Sequence, residues 1–590
     1  MLIIVEPPKR SLSRFSRMYS AVLVSTALLL AATTILISVT AMGHVSQSRH
    51  NSADSVQRSM ANDETRFKQS LNAVEIVEPV VVALDAVDVE LHQVQLLDYL
   101  NGEAEHADNN NSSSSSRIFG GSITNGDSFN LVSSWHVVQS FTHTLTRTPR
   151  YDRADFAEMA RRTRALYIAH SILNNAPTAT LLFNQLAEAS YNATALPKDK
   201  HQTALKEYLQ HIIDTQTQAL FPWTNPPFES IQSMQESFKT SKDPIGIAIT
   251  GGKKHFYLIT HLILTLRKEF NITLPVQVFY SGQADMPQQY AKKLHRMENV
   301  EAIDLTRFFP IETTQVSGWS CKPFAMLAAS FQTVLFIDAD SLFFQSPLRA
   351  LESRAFKETG MVFFRDRKLR HKDLKGAELL NSAGKHLSSY ALSIPFTNAS
   401  DTTAESHVLD SGFVVLDKGN LGVLYSLLLA AKMNSQVERD TLYSYTWGDK
   451  EAYWFASEML RVPYRLNPTF GSAIGYRKKG VVVTETNREC VCGAFLLQLD
   501  EHGDLFWWNG GGVLKDRYAT PAAFEKEFVD DFHVVGLDLD GVGSEWGDFF
   551  PGGGCLRRQK ENVRKLTDSE QALLQRYRDI YLHDIRDMSI

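Results

Sequence analysis

Cysteine is scarce in this chain: there are four in 590 residues, at Cys321, Cys490, Cys492 and Cys555. That is too few for a disulfide scaffold, and the spacing is not that of a zinc site. Cys490 and Cys492 are separated by one residue and would strain a bridge between themselves; the expectation is that one of them reaches Cys555, with buried free thiols as the other reading. An excess of positive charge is also missing. The 60 basic and 66 acidic residues leave a net charge of −6, which argues against bulk nucleic-acid binding, since that needs a basic face. No internal repeat at a period of roughly 20–50 residues is present, which excludes solenoids and propellers. The hydrophobic share, 44%, and the charged share, 21%, are those of ordinary globular protein, so a large core is available. The length points to more than one unit.

Charge is absent altogether between Met18 and Met42, where Leu, Val, Ile, Ala and Met dominate. About 20 apolar residues in a helix span the hydrocarbon core. Lys9, Arg10, Arg14 and Arg17 precede the run, and positive charge is sparse after it until Arg49. The positive-inside rule then puts the N-terminus in the cytoplasm and the rest in a lumen. A cleaved signal peptide is the competing reading, but its apolar core is usually shorter, about 7–15 residues. The expected organisation is a cytoplasmic tail over 1–17, a transmembrane signal-anchor over 18–42, a lumenal stem over 43–150, a helical part over 151–242 and a catalytic domain over 243–590. The stem contains DNNNSSSSS at Asp108–Ser116, which has no apolar surface to bury. A lumenal chain makes the N-x-[ST] triplets at Asn110, Asn111, Asn192, Asn271 and Asn398 candidate glycosylation sites.

Phe156, Met159, Ala160 and Thr163, and again Leu205, Tyr208, Leu209 and Ile212, follow helical spacing and read as packing helices. At Asp243 the character changes. An apolar strand, Ile245–Thr250, ends in Gly251-Gly252, a helix is expected over Phe256–Phe270, and a second strand over Val276–Tyr280. Strand, glycine turn, helix, strand is an α/β signature with a parallel sheet. In such sheets ligands bind beyond the carboxyl ends of the strands. Gly251 and Gly252 are therefore candidates for close approach to a nucleotide donor, with a plain tight turn as the other reading.

The segment richest in chemistry is SGWSCKPFAMLAASFQTVLFIDADSLFFQSP, Ser317–Pro347. Pro323 suits the first turn of a helix, and Phe324, Leu327, Ala328 and Phe331 give that helix an apolar face. Thr333–Ile337 reads as a strand buried on both faces, and Asp338-Ala339-Asp340 comes at its end. Two carboxylates so close raise each other's pKa. A divalent cation relieves that cost, and Mg²⁺ or Mn²⁺ prefers carboxylate oxygens while keeping positions for substrate phosphates. Asp338 and Asp340 are thus the expected metal pair for a nucleotide-diphosphate donor, whose leaving diphosphate such a metal stabilises.

With CKPFAMLAASFQTVLFIDADSLF, HVLDSGFVVLDK at His407–Lys418, WGDKEAYWFA at Trp447–Ala456 and LFWWNGG at Leu505–Gly511 taken in order, the chain resembles the fungal Golgi α-mannosyltransferases, the α-1,3-mannosyltransferase group and its α-1,2 relatives. The resemblance covers roughly residues 243–560. It implies an α/β fold of the GT-A nucleotide-diphospho-sugar transferase type, Mn²⁺ as cofactor, GDP-mannose as donor and mannose-terminated glycans of glycoproteins as acceptors. It also implies a type II Golgi membrane protein, with a Golgi transferase complex as a further partner. The expected reaction is mannosyl transfer with retention, forming α-1,3 linkages. An α-1,2 linkage, a UDP-linked donor, or an inactive glycan-binding scaffold are the alternatives. Retention by an enzyme carboxylate and same-face attack aided by the leaving diphosphate both stay open. Ser341 stands where many relatives are expected to carry Asn.

Further candidates come from the same motifs. Asp410-Ser411-Gly412 precedes an apolar strand, Phe413–Leu416, and the resemblance places it near the donor sugar, with Asp410 and Gly412 as donor-binding residues. Lys322 is either a phosphate-neutralising donor contact or a solvated helix-start lysine. Asp449 and Glu451 are the candidate catalytic residues, orienting or deprotonating an acceptor hydroxyl, although acidic residues also suit a first helical turn. Trp447, Tyr453 and Trp454 are candidates to face sugar rings. His533 is a candidate third metal ligand, with a core histidine as the commoner alternative. Trp507, Trp508 and Asn509 fit either an acceptor site or the core, and the basic run Arg557–Lys565 reads as a solvated helix face.

Overall fold

The computed structural model describes residues 156–174, 198–225, 227–368, 379, 388–394, 407–478, 488–510, 533–550 and 553–585. The expected anchor, the stem, and Asn110, Asn111, Asn192 and Asn398 lie outside them. Asn271 is described and exposed. Among the described residues no helix is long and apolar enough to cross a membrane. They belong to the larger of two units of the chain, 83–186 with 205–590, except Lys198–Ala204, which fall in the smaller.

Helices α1 (Phe156–Asn174) and α2 (Lys198–Leu220) realise the helical spacing, and Phe156, Met159, Ala160 and Thr163 are all buried. After α3 (Ile231–Lys239) come β1 (Ile245–Thr250), α4 (Phe256–Phe270), β2 (Val276–Tyr280) and β3 (Val300–Asp304). Then follow α5 (Cys321–Ala328), β4 (Thr333–Ile337), β5 (Ser341–Phe343) and β6 (Met361–Arg365). The chain continues through β7 (Leu409–Asp417), α6 (Leu421–Met433), α7 (Gln436–Tyr445) and α8 (Ala452–Leu460).

Six strands form one sheet in the order β3-β2-β1-β4-β7-β6. The β3/β2, β2/β1 and β1/β4 pairs are parallel, whereas β4/β7 and β7/β6 are antiparallel. The sheet is covered on both faces, which explains the nearly continuous apolar strands. On β4, Val334 and Phe336 point into a core shared with α1, α5, α6 and α8, while Leu335 and Ile337 point into the opposite core with α4. Because β7 runs against β4, its N-terminal end lies beside the carboxyl end of β4. The strand also starts earlier than its apolar run suggests, so Asp410-Ser411-Gly412 is strand rather than a turn before it.

A second sheet is built from β8 (Ser472–Arg477), β9 (Arg488–Leu499), β10 (Leu505–Asn509), β11 (Val534–Gly536), β12 (Glu545–Phe550), β13 (Gly553–Gln559) and β14 (Val563–Lys565), before the closing helix α9 (Asp568–His583). Its main order is β12-β13-β9-β8-β11-β14, and β10 pairs with both β9 and β5. β5 follows Asp340 directly, so the Asp338–Asp340 loop is the seam between the two sheets. Cys492 and Cys555 face each other across β9 and β13 and are disulfide-bonded. Arg557–Lys565 is not a helix face. It spans the end of β13, a short turn and β14, and Arg558 is buried, 3.3 Å from the Asp538 carboxylate. Strand alternation sends that guanidinium inward, where the carboxylate compensates its burial.

Candidate active site

The expected metal pair stands at the carboxyl end of β4, half-buried. Its backbone is fixed from the neighbouring strand: the Asp338 N–H donates to the Gly412 carbonyl at 2.8 Å, and the Ser341 N–H donates to the Asp338 carbonyl at 3.0 Å. Ser341 is buried and its hydroxyl donates to the Gly412 carbonyl at 3.4 Å. It therefore ties the loop to β7 instead of reaching toward a ligand.

Lys322, in the first turn of α5, is buried and not a solvated helix-start lysine. Its Nζ donates to Asp338 Oδ2 at 2.8 Å and Ser411 Oγ at 3.1 Å, and lies 3.9 Å from Asp449 Oδ1. Burial opposes the charge on Lys322, but Asp338 and Asp449 outweigh it and hold the ammonium above its ordinary pKa. Burial also pushes the Asp338 carboxyl up. Lys322 opposes that rise, whereas Asp340 and Asp449 add to it.

Asp410 is buried on the other flank. Its Oδ1 accepts from the Gly412 N–H at 3.0 Å and from Asn509 Nδ2 at 3.4 Å, and its Oδ2 accepts from Gln498 Nε2 at 3.0 Å. Burial, with Asp366 nearby, raises its pKa. Gly412 is required by close approach: a Cβ there would sit 2.6 Å from Asn509 Nδ2 and 2.8 Å from Trp507 Cζ3. Trp507 and Trp508 are fully buried, Trp507 among Phe343, Phe364 and Phe413. They are core, and of the three candidates in that motif only Asn509 touches the acidic group.

Asp449 is buried beside Lys322 and its Oδ2 accepts from the Tyr453 hydroxyl at 3.0 Å. Glu451 does not join it. That carboxylate is fully buried, with Oε1 accepting from the Val408 N–H at 3.0 Å and Oε2 from Trp454 Nε1. Burial pushes it up to about 7 against the opposing Lys450. Its two bonds tie the start of α8 to the residue before β7, so the structure gives Glu451 a fastening role and does not bring it to the acidic group. Tyr453 and Trp454 are buried as well, which removes them as sugar platforms, whereas Trp447 is 56% exposed.

Gly251 and Gly252 follow β1 as expected, but the close approach that Gly252 allows is to Asp285, whose Oδ1 would lie 1.8 Å from a Cβ. His533 is not brought to the pair. It is exposed at the head of β11, and β10, β9 and β8 intervene between that strand and β5.

Sequence reasoning missed Asp366. It is buried, pairs with Lys450, and accepts from the Arg367 N–H at 2.6 Å. Burial alone would raise its pKa, but Lys450, then Arg367 and His407, hold it well below the usual carboxylate range. The signal was present: MVFFR followed by Asp repeats the pattern of TVLFI followed by Asp, an apolar strand ending in a carboxylate.

Asp338 and Asp340 suit a hard divalent cation. They offer carboxylate oxygens only, and burial with mutual repulsion favours a neighbouring positive charge. Among the described residues the one group of three candidate ligands within 4.8 Å of one another is Cys490, Cys492 and Cys555, two of which are bridged. With a cation bound, the acidic pair would supply two ligands and leave the others to phosphate oxygens or water, as Mg²⁺ and Mn²⁺ sites commonly do.

Residues 245–500 match the family model described as "Mannosyltransferase putative". The chain is 24% identical over 417 residues to the alpha-1,3-mannosyltransferase MNN1 of Saccharomyces cerevisiae, an alignment covering 60% of this chain and 51% of that one. It is 24% identical over 351 residues to the alpha-1,3-mannosyltransferase MNT2 of the same yeast, covering 49% and 60%. The chain therefore spans roughly half the length of these relatives. Among solved structures, the mannosyltransferase Ktr4p of S. cerevisiae aligns at 11% identity and a TM-score of 0.24, over 39% of this chain and 68% of that one. At that score the likeness carries no argument.

Proposed function

Because this chain belongs, through residues 245–500, to the fungal α-mannosyltransferase family, we propose that it transfers mannose from GDP-mannose to mannose-terminated glycans, with retention and most readily as an α-1,3 linkage. The fold we assign to it is of the GT-A type. The observation carrying the reading is that Asp338 and Asp449, from separate motifs, both meet the buried ammonium of Lys322, with Asp410 from a third motif near enough to add to its field. Clustered carboxylates at a strand end suit a site that receives a cation and a diphosphate, together with sugar hydroxyls.

In this reading Asp338 and Asp340 hold Mn²⁺. The ion, when bound, neutralises the diphosphate that leaves. Lys322 orients Asp338 and opposes the rise that burial imposes on its pKa, and it lies close enough to Asp449 to fix that carboxylate too. Asp449, held by Tyr453, receives hydroxyls of the reacting sugars. Asp410, fastened by Gln498, Asn509 and the Gly412 N–H, shapes the floor beside the pair. Bonds to Val408 and Trp454 occupy Glu451, so it takes no part.

The uncharged span over 18–42 with its basic flank supports a type II Golgi anchor with the catalytic part in the lumen. The test is turnover: the purified chain, given GDP-mannose, UDP-sugars and mannose oligomers, should consume GDP-mannose and lengthen the oligomer, and linkage analysis of the product should return α-1,3-mannose. Consumption of a UDP-sugar instead, or of no donor, overturns the reading.

A further inference from the structure

Six large hydrophobic side chains are exposed among the described residues, and the two tryptophans, Trp319 at 62% and Trp447 at 56%, are in one place. Isolated exposed apolar residues need no explanation. Two exposed indoles from segments about 130 residues apart in sequence, both adjoining one glycine beside a buried carboxylate, do.

The meeting point is Gly448. It has φ +73°, a conformation that L side chains rarely adopt, and a Cβ there would lie 2.9 Å from Trp319 Cε3. The backbone of Gly448 is therefore the surface on which the Trp319 ring rests. Trp447 precedes that glycine, with its ring centroid 5.5 Å from that of His407, and Asp449 follows it. Trp319 is three residues before Lys322, whose ammonium is 3.9 Å from Asp449. One side of this patch is thus largely exposed indole, and the other leads directly to the acidic group around Lys322.

That combination fits a pyranose ring, which has an apolar C–H face to lie on an aromatic surface and hydroxyls at its edge to meet carboxylates. The position also selects which sugar. In the sheet order β1-β4-β7, Gly251-Gly252 lies beyond β1, on one side of the Asp338–Asp340 loop. His407, which carries Trp447, leads into β7 on the other side. On the transferase reading, a nucleotide diphosphate held beyond the carboxyl ends of the parallel strands β1 and β4 leaves the β7 side to the second substrate.

Resting on the transferase reading above, we infer that Trp319 and Trp447 form the platform for the terminal mannose ring of the acceptor glycan, and that Gly448 sets the position of one indole. The platform binds the acceptor and takes no part in holding the donor.

The test uses the full chain in detergent micelles, with mannotriose and GDP as separate probes. Binding of each is followed by calorimetry, and contact with mannotriose by saturation-transfer NMR. Trp319→Ala and Trp447→Ala should each weaken mannotriose about ten-fold, while the GDP affinity moves by less than about two-fold. Trp447→Tyr should retain most of the mannotriose affinity, because it keeps a ring face. Gly448→Ala should weaken mannotriose with both indoles still present. The inference is overturned if both alanine variants bind mannotriose as the wild type does, if the wild type does not bind it, or if GDP affinity falls instead, which would assign the indoles to the nucleotide base. Wild-type binding through the indoles without any turnover of GDP-mannose would leave the platform standing and remove the transferase reading.

Discussion

Replacing Gly412 by alanine adds one methyl group at the tightest point of the site. Its Cβ would be placed 2.6 Å from Asn509 Nδ2 and 2.8 and 2.9 Å from two ring carbons of Trp507, whereas carbon contacts settle near 3.5–4.0 Å, so something must move by about 1 Å. Asn509 can rotate away, but it then leaves Asp410. Trp507 cannot yield easily, since it is fully buried against Phe364 and Phe413 with ring centroids 5.5 and 6.0 Å away. Overpacking of this kind costs about 1–3 kcal/mol. The activity loss should be larger than that stability change suggests. The Gly412 carbonyl accepts the Asp338 N–H, so a shift of β7 carries the carboxylate pair with it, and a misplacement of about 1 Å costs on the order of 100-fold in rate. Mannosyl transfer and thermal melting on the same preparation separate the two effects. Trp507→Phe frees space on the crowded side, so the double variant should recover part of what Gly412→Ala loses, a coupling that a double-mutant cycle reads directly. Transfer within about three-fold of wild type, or strictly additive losses, would refute the argument that close packing at Gly412 sets the carboxylate geometry.

Asp340→Asn should abolish transfer with the fold retained on circular dichroism, chelation should reproduce the defect in the wild type and Mn²⁺ should reverse it, whereas Ser341→Ala, whose hydroxyl only braces Gly412, should change the rate by no more than about three-fold. Glu451 carries a signed pH prediction. Burial raises its folded pKa from 4.5 to about 7, so its ionised form is disfavoured in the native state and stability is lost as pH rises between those values, by roughly 3 kcal/mol. Glu451→Gln does not titrate, so urea melts at about pH 5 and about pH 8 should show the variant gaining on the wild type as pH rises; a constant difference would contradict the burial argument. Protease added to intact Golgi vesicles should leave the chain beyond about residue 45 protected until detergent is added, and digestion without detergent would reverse the proposed topology.

Legibility in the sequence followed the kind of interaction. The strands Ile245–Thr250, Val276–Tyr280 and Thr333–Ile337 and the helix Phe256–Phe270 stand where the patterns put them, because each depends on local periodicity and a core on both faces. Asp338, Asp410 and Asp449 were visible as carboxylates next to apolar segments. Their common counter-charge was not, since Lys322 meets Asp449 through a contact 127 residues apart in sequence. Glu451 shows the limit from the other direction. An acidic residue near a helix start looks the same in sequence whether its oxygens face a substrate or, as here, a backbone N–H and an indole. The antiparallel return of β7 was also invisible, because no local pattern reports strand direction, and that return is what brings Asp410 to Asp338.

The turn between β9 and β10 sets a limit on which insertions and deletions the chain can tolerate. In that turn the Asp500 side chain accepts from the His502 and Asp504 N–H groups at 2.9 and 3.0 Å, and β10 leaves it to place Asn509 opposite Ser341. Side chains on a strand alternate between faces, so slipping β10 by a single residue would turn Asn509 away from Asp410 and present Trp508 or Gly510 in its place. One added or deleted residue among 500–504 would therefore act at the carboxylate cluster without altering any residue that touches it. Functional relatives should vary freely in the loops that leave the second sheet elsewhere, while the length of this one hairpin stays constant.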